Sequence, residues 1–319
     1  MYIMIRDKKT FARKRVINKI SSVIIKKSLY DVGSIEITQP ISIDVDIDDI
    51  VEIGNTGIFG IAEQIDGMNE TSVKVYCYDL KGLTHQRYVA EEITLKNMLP
   101  EAMLYEMAVR FFKTGDRNIE NLTVNASESA SDTTIDEYTF GTGYLNEALN
   151  TFCQKYDIGY DINFAAEKLN FNIIVPKYNS KCVFARRYGS VNDISMSRSQ
   201  YDYVNTVYVQ TDDGAKIVGE SAKGIERFEG YSDREADTDN YKSEHGTTET
   251  LKCTANGRYT YGTDYQLGDS VNVMYGEYVT RKTISEIEIV YENAVHTVIP
   301  TFGDVKQNPI KKLLRGDKK

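Results

Sequence analysis

Apolar and polar residues alternate along much of this chain, and the alternation predicts a protein built mainly of β-strands. Within 284–291, Ile287 and Ile289 alternate with Glu286 and Glu288, which is the pattern of a strand with one buried face. The residues expected to be buried in the last strands are Ile284, Ile287, Ile289 and Val298. Further strands are predicted at 34–39, 41–47, 58–62, 73–78, 169–175 and 204–210.

Residues that favour tight turns separate the predicted strands. Turns are expected at Gly33, at 54–57 and at 66–70, and an Asp-Gly hairpin turn is expected at 212–214. The pair Gly268–Asp269 permits a bend before the next strand. Strands separated by turns at this spacing are typical of a β-barrel or a β-sandwich.

Two segments have helical spacing instead, at 99–112 and at about 143–156. Pro100 suits the first turn of a helix, where its missing N–H costs nothing. For the second helix, Thr142 is the expected N-cap and Gly159 the expected stop signal. These helices predict an insert between two β-rich regions.

The change from strands to helices and back predicts three domains. Residues 1–95 are expected to form a first β domain, 96–184 a helical or mixed insert, and 185–305 a second β domain with a polar excursion at 216–250. Residues 306–319 form a basic tail. A length of 319 residues suits this division, because single hydrophobic cores stop growing beyond about 250–300 residues.

Charge is unevenly distributed along the chain. The net charge is −9 and the pI about 5.1, which argues against a nucleic-acid reader with a basic face. Basic residues crowd the start and the end, so the middle is strongly acidic. Either these charges form solvated surface, or the basic ends dock on acidic neighbours while acidic residues line another surface. The basic residues are Arg6, Lys8, Lys9, Arg13, Lys14, Arg15, Lys19, Lys26 and Lys27 at the start, and Lys311, Lys312, Arg315, Lys318 and Lys319 at the end.

The sequence contains no apolar run of the roughly 18 residues that a membrane-spanning helix needs. The first residues lack the order of charged, apolar and small residues that a signal peptide requires. Assembly in the cytoplasm and no membrane insertion are therefore expected.

The residue types that carry catalysis or bind metals are scattered. The histidines (His85, His245 and His296) have no second ligand at metal-binding spacing. The cysteines (Cys77, Cys153, Cys182 and Cys253) form no CxxC pair and are expected in the core. No catalytic residue, cofactor or metal site is predicted.

One cluster of carboxylates has a spacing that fits either a calcium site or a solvent-facing strand. Asp44, Asp46, Asp48 and Asp49 lie almost at alternate positions, and such carboxylates can bind calcium. The same spacing also places side chains on one solvent-facing side of a strand, and the glycine of a calcium-binding loop is missing. Like charges on one face repel, so either basic groups of a neighbour lie close by or the face lines water.

The C-terminal part contains a longer motif. Tyr265-Gln-Leu-Gly-Asp-Ser-Val is followed by a strand and then by Pro300-Thr-Phe-Gly303. This order resembles the C-terminal signature of phage tail-hub proteins, also called baseplate hub or tail-tip proteins. The motif residues are Tyr265, Gly268, Asp269, Pro300, Phe302 and Gly303.

Earlier segments extend this resemblance over nearly the full chain. Residues 21–37 resemble the family's N-terminal strand, Gly-centred turn at Gly33 and second strand, although the family often has Trp where this chain has Ile24 or Ile25. Residues 78–89 are similar to a further family motif, and 201–209 to the strand that opens the second barrel. The motif residues in 78–89 are Gly82, Leu83 and Arg87.

The resemblance implies a fold and an assembly. The expected fold is mainly β with an α insert (α+β), with two tail-tube-like antiparallel β-barrel domains and a smaller helical or mixed domain between them. Three chains would form a homotrimeric ring of pseudo-sixfold outline, which adapts a sixfold tail tube to a threefold tip. Its channel would pass the tape-measure protein and then DNA.

The same resemblance implies location and partners. The chain would belong to the tail tip or baseplate of a virion, assembled in the cytoplasm of a bacterial host, as a structural protein without enzymatic activity or cofactors. Its neighbours would be the tail tube or distal tail protein ring, the tape-measure protein, and a spike, fibre or tip protein, with DNA only in transit. Some relatives continue into a wall-degrading or receptor-binding domain, and this chain ends sixteen residues after Gly303.

Two other classes of function stay open. A tail-tip peptidoglycan endopeptidase would need a Cys/His pair or a zinc site. A carbohydrate- or receptor-binding β module would need an exposed aromatic platform, and such platforms usually include Trp. The chain has no Trp but has 23 Tyr, which suit either interfaces or β-strands.

Overall fold

The computed structural model describes residues 2–40, 45–54, 56–69, 71–127, 131–200, 203–211, 214–219, 222–232, 248–292 and 295–303. The described residues form mainly β-strands, with two α-helices. They divide into two compact units, the first within 2–194 and 253–301 and the second within 195–252 and 302–303. Neither α-helix has the length and apolar composition that crossing a bilayer requires.

The strands of the N-terminal part are β1 (Ile3–Arg6), β2 (Arg13–Ile17), β3 (Ser22–Ser28), β4 (Ser34–Pro40), β5 (Ile50–Ile53), β6 (Ile58–Asn69), β7 (Ser72–Asp79), β8 (Tyr88–Val89) and β9 (Ile93–Met98). The central part contains α1 (Pro100–Phe112), β10 (Leu122–Asn125), β11 (Ile135–Phe140), β12 (Gly143–Tyr144), α2 (Leu145–Tyr156), β13 (Gly159–Ala165), β14 (Lys168–Ile174) and β15 (Lys177–Phe184). The remaining strands are β16 (Val191–Ser199), β17 (Thr206–Thr211), β18 (Gly214–Gly219), β19 (Glu229–Ser232), β20 (Thr248–Ala255), β21 (Asp269–Tyr275), β22 (Tyr278–Glu292) and β23 (Val295–Gly303). Short 3-10 helices span Leu80–Gln86, Gly115–Arg117, Arg186–Tyr188 and Gly224–Glu226.

A large sheet dominates the first unit. Its strand order is β22–β3–β4–β7–β6–β5–β1–β2, with β23 and β21 also paired to β22 and β15 paired to β21. Alternate residues face the core, as the pattern predicts: Val75 and Cys77 of β7 are buried opposite Ile37 and Ile35 of β4. This face accounts for the predicted alternation in the first ninety residues.

The pairing of β3 with β22 joins the two ends of the sequence. Ile25 lies opposite Ile289, and both are buried. A strand from the first predicted domain and a strand from the last therefore belong to one sheet. The mainly β architecture is confirmed, whereas the two barrels and the three domain boundaries stay predictions.

The helices pack beside a smaller sheet of order β10–β14–β13. The predicted first helix is confirmed: α1 begins at Pro100, and it buries Leu104, Met107 and Phe111 on one face. These apolar residues recur at helical spacing, so burying them stabilises both the helix and its packing.

The predicted ends of the second helix are wrong. The N-cap of α2 is Tyr144 and not Thr142, because Gly143 and Tyr144 pair with β8 as the short strand β12. The helix ends at Asp157, which adopts a left-handed conformation (φ 47°), and Gly159 opens β13. Local pairing of β12 and β8 therefore delays the helix start beyond the expected cap.

Three details of the strand predictions need correction. Val298 is half-buried and not buried, although Ile284, Ile287 and Ile289 are buried as predicted. The predicted turn at 66–70 is wrong for its described residues, because β6 continues to Asn69 and pairs with β7 through two register shifts. The predicted strand at 41–47 is not formed over 45–47, where the chain turns before β5.

The second unit contains a small sheet of order β18–β17–β19. The predicted hairpin pairing of β17 with β18 is confirmed, because Thr211 lies opposite Gly214. Arg198 of β16 bonds to Glu249 of β20 (Nε–Oε2 2.6 Å). Predictions for 41–44, His245, 212–213, 306–319 and part of the polar excursion lie outside the described residues.

Candidate functional site

Several elements that carry predicted motif residues meet around Leu29, a buried residue that follows β3. Leu29 N donates a hydrogen bond to Ser285 O (2.8 Å), and Leu29 O accepts one from Tyr160 N (3.4 Å). A Cβ on Gly159 would approach Leu29 O to 2.5 Å, and a Cβ on Gly268 would approach Leu29 Cδ1 to 3.4 Å. We call this meeting point of β3, β13, β21 and β22 the strand junction.

A buried lysine closes the strand junction. Lys81 is 1% exposed and donates from Nζ to Ser28 O (2.8 Å) and to Leu29 O (3.3 Å). The ammonium also lies 4.3 Å from the ring centroid of Tyr160. Burial lowers the pKa of Lys81. The ammonium therefore donates to two consecutive carbonyl groups at the end of β3.

The carboxylate of Asp79, two residues before this lysine, contacts the backbone N–H of Lys81. Asp79 Oδ1 accepts from Lys81 N (3.1 Å), and Oδ2 is buried without a hydrogen-bond partner among the described residues. Burial raises the pKa of Asp79 from 3.8 to about 6. Asp79 N also donates to Gly33 O (3.0 Å), and a Cβ on Gly33 would lie 2.4 Å from Asp79 Oδ2. The close approach of this carboxylate explains why the motif position 33 is occupied by glycine.

A second lysine pairs with β13. Lys27 Nζ lies 3.1 Å from Asp161 Oδ2. Burial alone would lower the pKa of Lys27, but Asp161 raises it above its usual range. This pair lines a cavity of about 530 Å³, together with Asn163, Tyr291 and His296. Tyr291 and His296 stack with their ring centroids 4.7 Å apart.

The C-terminal motif residues divide into two groups. Gly268 adopts φ +89°, and a Cβ there would meet Ile174 Cγ2 at 2.5 Å, so this position favours glycine for two reasons. Asp269 accepts from Gln266 N (3.0 Å) and from Asn179 Nδ2 (2.9 Å), which fixes the bend before β21. Both residues belong to the strand junction or its border.

Tyr265 is a buried core residue. Its ring meets Phe184 edge-on, with centroids 5.1 Å apart, and burial raises the pKa of its hydroxyl. Pro300, Phe302 and Gly303 lie in β23, and Phe302 is fully buried. The contacts of the strand junction described above do not include these three residues.

The motif at 82–87 lies in and after a 3-10 helix. A Cβ on Gly82 would approach Tyr78 Cβ to 2.8 Å, and Leu83 is half-buried. Arg87 donates from Nε to Phe111 O (3.1 Å), and its guanidinium lies 5.5 Å from the ring centroid of Phe112. Burial lowers the pKa of Arg87. This arginine therefore fastens the end of the 3-10 helix to α1.

The four cysteines are free and buried, which confirms that they are core residues. Burial raises the pKa of the Cys77 and Cys153 thiols to about 12, so both stay protonated at neutral pH. Within the described part of the chain, no three His, Cys, Asp or Glu side chains form a group that could hold a metal ion.

The basic N-terminal segment pairs with acidic residues of the same chain. Lys8 Nζ lies 2.8 Å from Asp48 Oδ1, and Lys14 Nζ lies 3.1 Å from Asp49 Oδ1. For the cluster of Asp44, Asp46, Asp48 and Asp49, a neighbour's basic groups or a water-lined face were the expected alternatives, and at Asp48 and Asp49 the basic groups come from the same chain. Two of these carboxylates are already neutralised from within.

Aromatic side chains are exposed where the β21–β22 hairpin turns. Tyr275 and Tyr278 lie opposite each other and are 41% and 38% exposed. Tyr275 has the same parity along β21 as buried Val271 and Val273, so the face of β21 that is buried at those two residues ends in an exposed aromatic pair. Such a surface suits burial by another chain.

The small sheet of the second unit has a similar exposed row. Tyr208 of β17 lies opposite Ile217 of β18 and Tyr231 of β19. Ile217 and Tyr231 are both more than half exposed. Each unit therefore carries apolar side chains that the described residues leave in solvent.

The comparisons with known proteins concern the whole fold. A 43 kDa tail protein of prophage MuSo2 from Shewanella oneidensis matches with a TM-score of 0.60 and 12% identity, over 94% of this chain and 95% of that one. Prophage tail protein gp18 from Listeria monocytogenes EGD-e matches with a TM-score of 0.59 and 11% identity, over 99% and 100%. The chain has the fold of phage tail proteins. A tail protein from Neisseria meningitidis MC58 agrees, with a TM-score of 0.58, 13% identity and coverage of 95% and 96%.

This tail-protein fold confirms the resemblance that the sequence motifs predicted. No protein-family model and no curated protein sequence matches the chain. At 11–13% identity, the fold is shared while most individual residues differ.

Sequence reasoning missed the residues that hold the strand junction together. Lys81 and Asp79 lie inside the motif stretch 78–89, but a lysine and an aspartate close together are also common in exposed polar turns. Lys27 was counted only as part of a basic segment, and Asp161 belongs to a strand with ordinary alternation. A lysine flanked by Leu80 and Gly82 was the only available signal.

Proposed function

We propose that this chain is a structural protein of a phage tail tip or baseplate, or of a phage-derived tail-like particle. The observation that carries the proposal is the match to three tail proteins, because the agreement extends over 94–99% of this chain and over 95–100% of each of those proteins. In this role it is a non-enzymatic component of the virion, assembled in the host cytoplasm.

Within that role we assign it to the hub. Three copies form a ring that adapts the sixfold tail tube to a threefold tip and surrounds a channel for the tape-measure protein and DNA. The exposed aromatic residues at the β21–β22 hairpin and on the small sheet support an assembly that covers them. Its neighbours are the tail tube or distal tail ring and a spike, fibre or tip protein.

The channel wall is proposed to be acidic or neutral. DNA carries a dense negative charge, and a lysine-rich wall would retain it by releasing counterions. The acidic balance of the chain outside its basic ends is compatible with such a wall. A threefold ring lined mainly by Lys and Arg would contradict this part of the proposal.

The oligomeric state tests the hub assignment. Light scattering of the purified chain is expected to give the mass of a trimer, and electron microscopy a threefold ring. Obligate interfaces of this kind bury roughly 2,000 Å² or more, so the trimer should persist on dilution. A stable monomer at high concentration would contradict the hub, although not a structural role elsewhere in a tail.

A cell-wall assay tests the absence of enzymatic activity. Purified chain in a zymogram with bacterial peptidoglycan is expected to leave the gel uncleared. Clearing that is lost on changing His85 or His296 would assign the chain to the endopeptidase class instead.

A further inference from the structure

One edge of the large sheet is open. Within the described residues, β2 pairs with β1 and with no other strand. The β1–β2 hairpin is held firmly, because Phe11 in its turn stacks on Phe164 with centroids 4.3 Å apart. Arg6 fixes the same turn, donating to Phe11 O (2.8 Å) and pairing with Glu52 (2.6 Å). The open edge is therefore a preformed surface.

Hydrogen bonds on the other side of β1 establish which residues face β2. Gly54 N donates to Tyr2 O (2.9 Å), so these two residues form a hydrogen-bonded pair at the end of the β1–β5 ladder. Alternate residues of a strand direct their backbone groups to opposite neighbours. The backbone N–H and C=O groups of Met4 therefore point toward β5, as those of Tyr2 do. The backbone groups of Ile3 and Ile5 point toward β2.

The register of the hairpin then identifies the open groups. Ile3 and Ile5 lie opposite Ile17 and Arg15, which must face β1. Val16 lies between them and therefore directs its N–H and C=O to the open side of β2. An unpaired N–H and C=O at the centre of an edge strand are the groups to which an added strand bonds.

Positive charge flanks this open edge. Lys8 and Lys14 are paired within the chain, as described above. Lys9, Arg13 and Lys19 are exposed, and the described residues provide no acidic partner for them. Two copies of this edge would bring like charges together, which disfavours self-pairing.

We infer that the open edge of β2 binds an extended acidic strand of a neighbouring tail protein by β-strand addition. Val16 supplies the central backbone hydrogen bonds, and the exposed cations Lys9, Arg13 and Lys19 select acidic side chains. This inference rests on the proposed function only for the identity of the neighbour, because the edge itself is a property of the isolated chain.

A model strand tests the inference without a tail. The probe is a short fluorescent peptide of alternating glutamate and valine, with a lysine–valine peptide of equal length as its counterpart. Anisotropy is expected to show saturable binding of the acidic peptide alone. Val16→Pro, which removes the outward N–H, should weaken binding about tenfold, whereas Val16→Thr should bind as the original chain does.

A charge variant keeps the test informative if Val16→Pro does not fold. Arg13→Glu should abolish most binding, and Lys177→Glu, the same charge change on β15, should not. Equal binding of both peptides, or full binding by folded Val16→Pro, would overturn the inference. A dimer of the chain alone that Val16→Pro abolishes would also overturn it, since the edge would then serve a second copy.

These outcomes are separate from those that test the hub. A chain that forms a threefold ring but does not bind the acidic peptide keeps the proposed function and loses this inference. A chain that stays monomeric but binds the acidic peptide keeps this inference and loses the hub assignment.

Discussion

The strand junction and the β2 edge use basic side chains for opposite purposes. At the junction, Lys81 is buried and donates to backbone carbonyls of its own chain. At the edge, Arg13 is exposed and the described residues offer it no anion. The comparison shows that a positive charge alone does not define a role, because burial decides whether a cation stabilises the fold or remains available to a partner.

The largest expected effect tests the sheet that supports both regions. Ile287→Asp places a carboxylate in a fully buried position of β22, opposite Lys27 of β3, whose ammonium already pairs with Asp161. An uncompensated buried charge is costly, so we expect the variant to lose cooperative unfolding by circular dichroism. Ile287→Ala should fold and cost about 2–5 kcal/mol. A stable Ile287→Asp protein would show that the register of β22 is wrong.

The next effect breaks the junction itself. Lys81→Met keeps the length of the side chain but removes the ammonium that donates to Ser28 O and Leu29 O, and it leaves Asp79 with Lys27 as its remaining nearby cation. We expect a loss of about 3–5 kcal/mol in the free energy of unfolding, measured by chemical denaturation. Lys96→Met is the matched control, because Lys96 pairs with Glu137 on the surface, and it should cost less than about 1 kcal/mol.

A third experiment reports on the carboxylate of the junction. The pKa of Asp79 is about 6 in the folded chain, above its ordinary value of 3.8, so between these values the folded state holds a proton that the unfolded state has lost. This contribution to stability is present below pH 4 and is lost as the pH rises to 6. Asp79→Asn cannot titrate. As the pH rises from 4 to 7, the stability of the variant relative to the original should improve by at most about 3 kcal/mol. A stability difference between Asp79→Asn and the original chain that does not change with pH would contradict the raised pKa of Asp79.

The smallest expected loss of stability concerns the β1–β2 hairpin. Lys8→Ala removes an exposed ion pair with Asp48, and such pairs contribute less than about 1 kcal/mol. The variant should unfold at nearly the same denaturant concentration as the original chain. A large loss would mean that cations of the hairpin hold the fold as firmly as Lys81 does, which would remove the contrast between the two regions.

The sequence predicted best what depends on local pattern. Alternation located β4, β7 and β22, and Pro100 located the start of α1, because these signals act within a few residues. The N-cap of α2 was wrong because β12 pairs with β8, a contact between segments far apart in the chain. The predicted burial of Val298 was wrong, because alternation identifies which residues share a face of a strand but not whether another element covers that face.

The junction could not be predicted for a related reason. Lys81 is buried only because β3 ends beneath it and Tyr160 packs beside it, and neither contact has a signature in the surrounding residues. The motif glycines at 33 and 268 were visible in the sequence, but their cause was not. Each leaves room for a side chain from a distant segment.

The pairing of Ile25 with Ile289 has a consequence for how the chain folds. Contacts between residues so far apart in sequence raise the contact order, and closing so long a loop slows folding. On the ribosome, β3 emerges early and must wait for β22 until almost the whole chain has been synthesised. Its other edge can pair with β4 at once, but the edge that awaits β22 stays open through most of translation, when nascent chains are most exposed to aggregation.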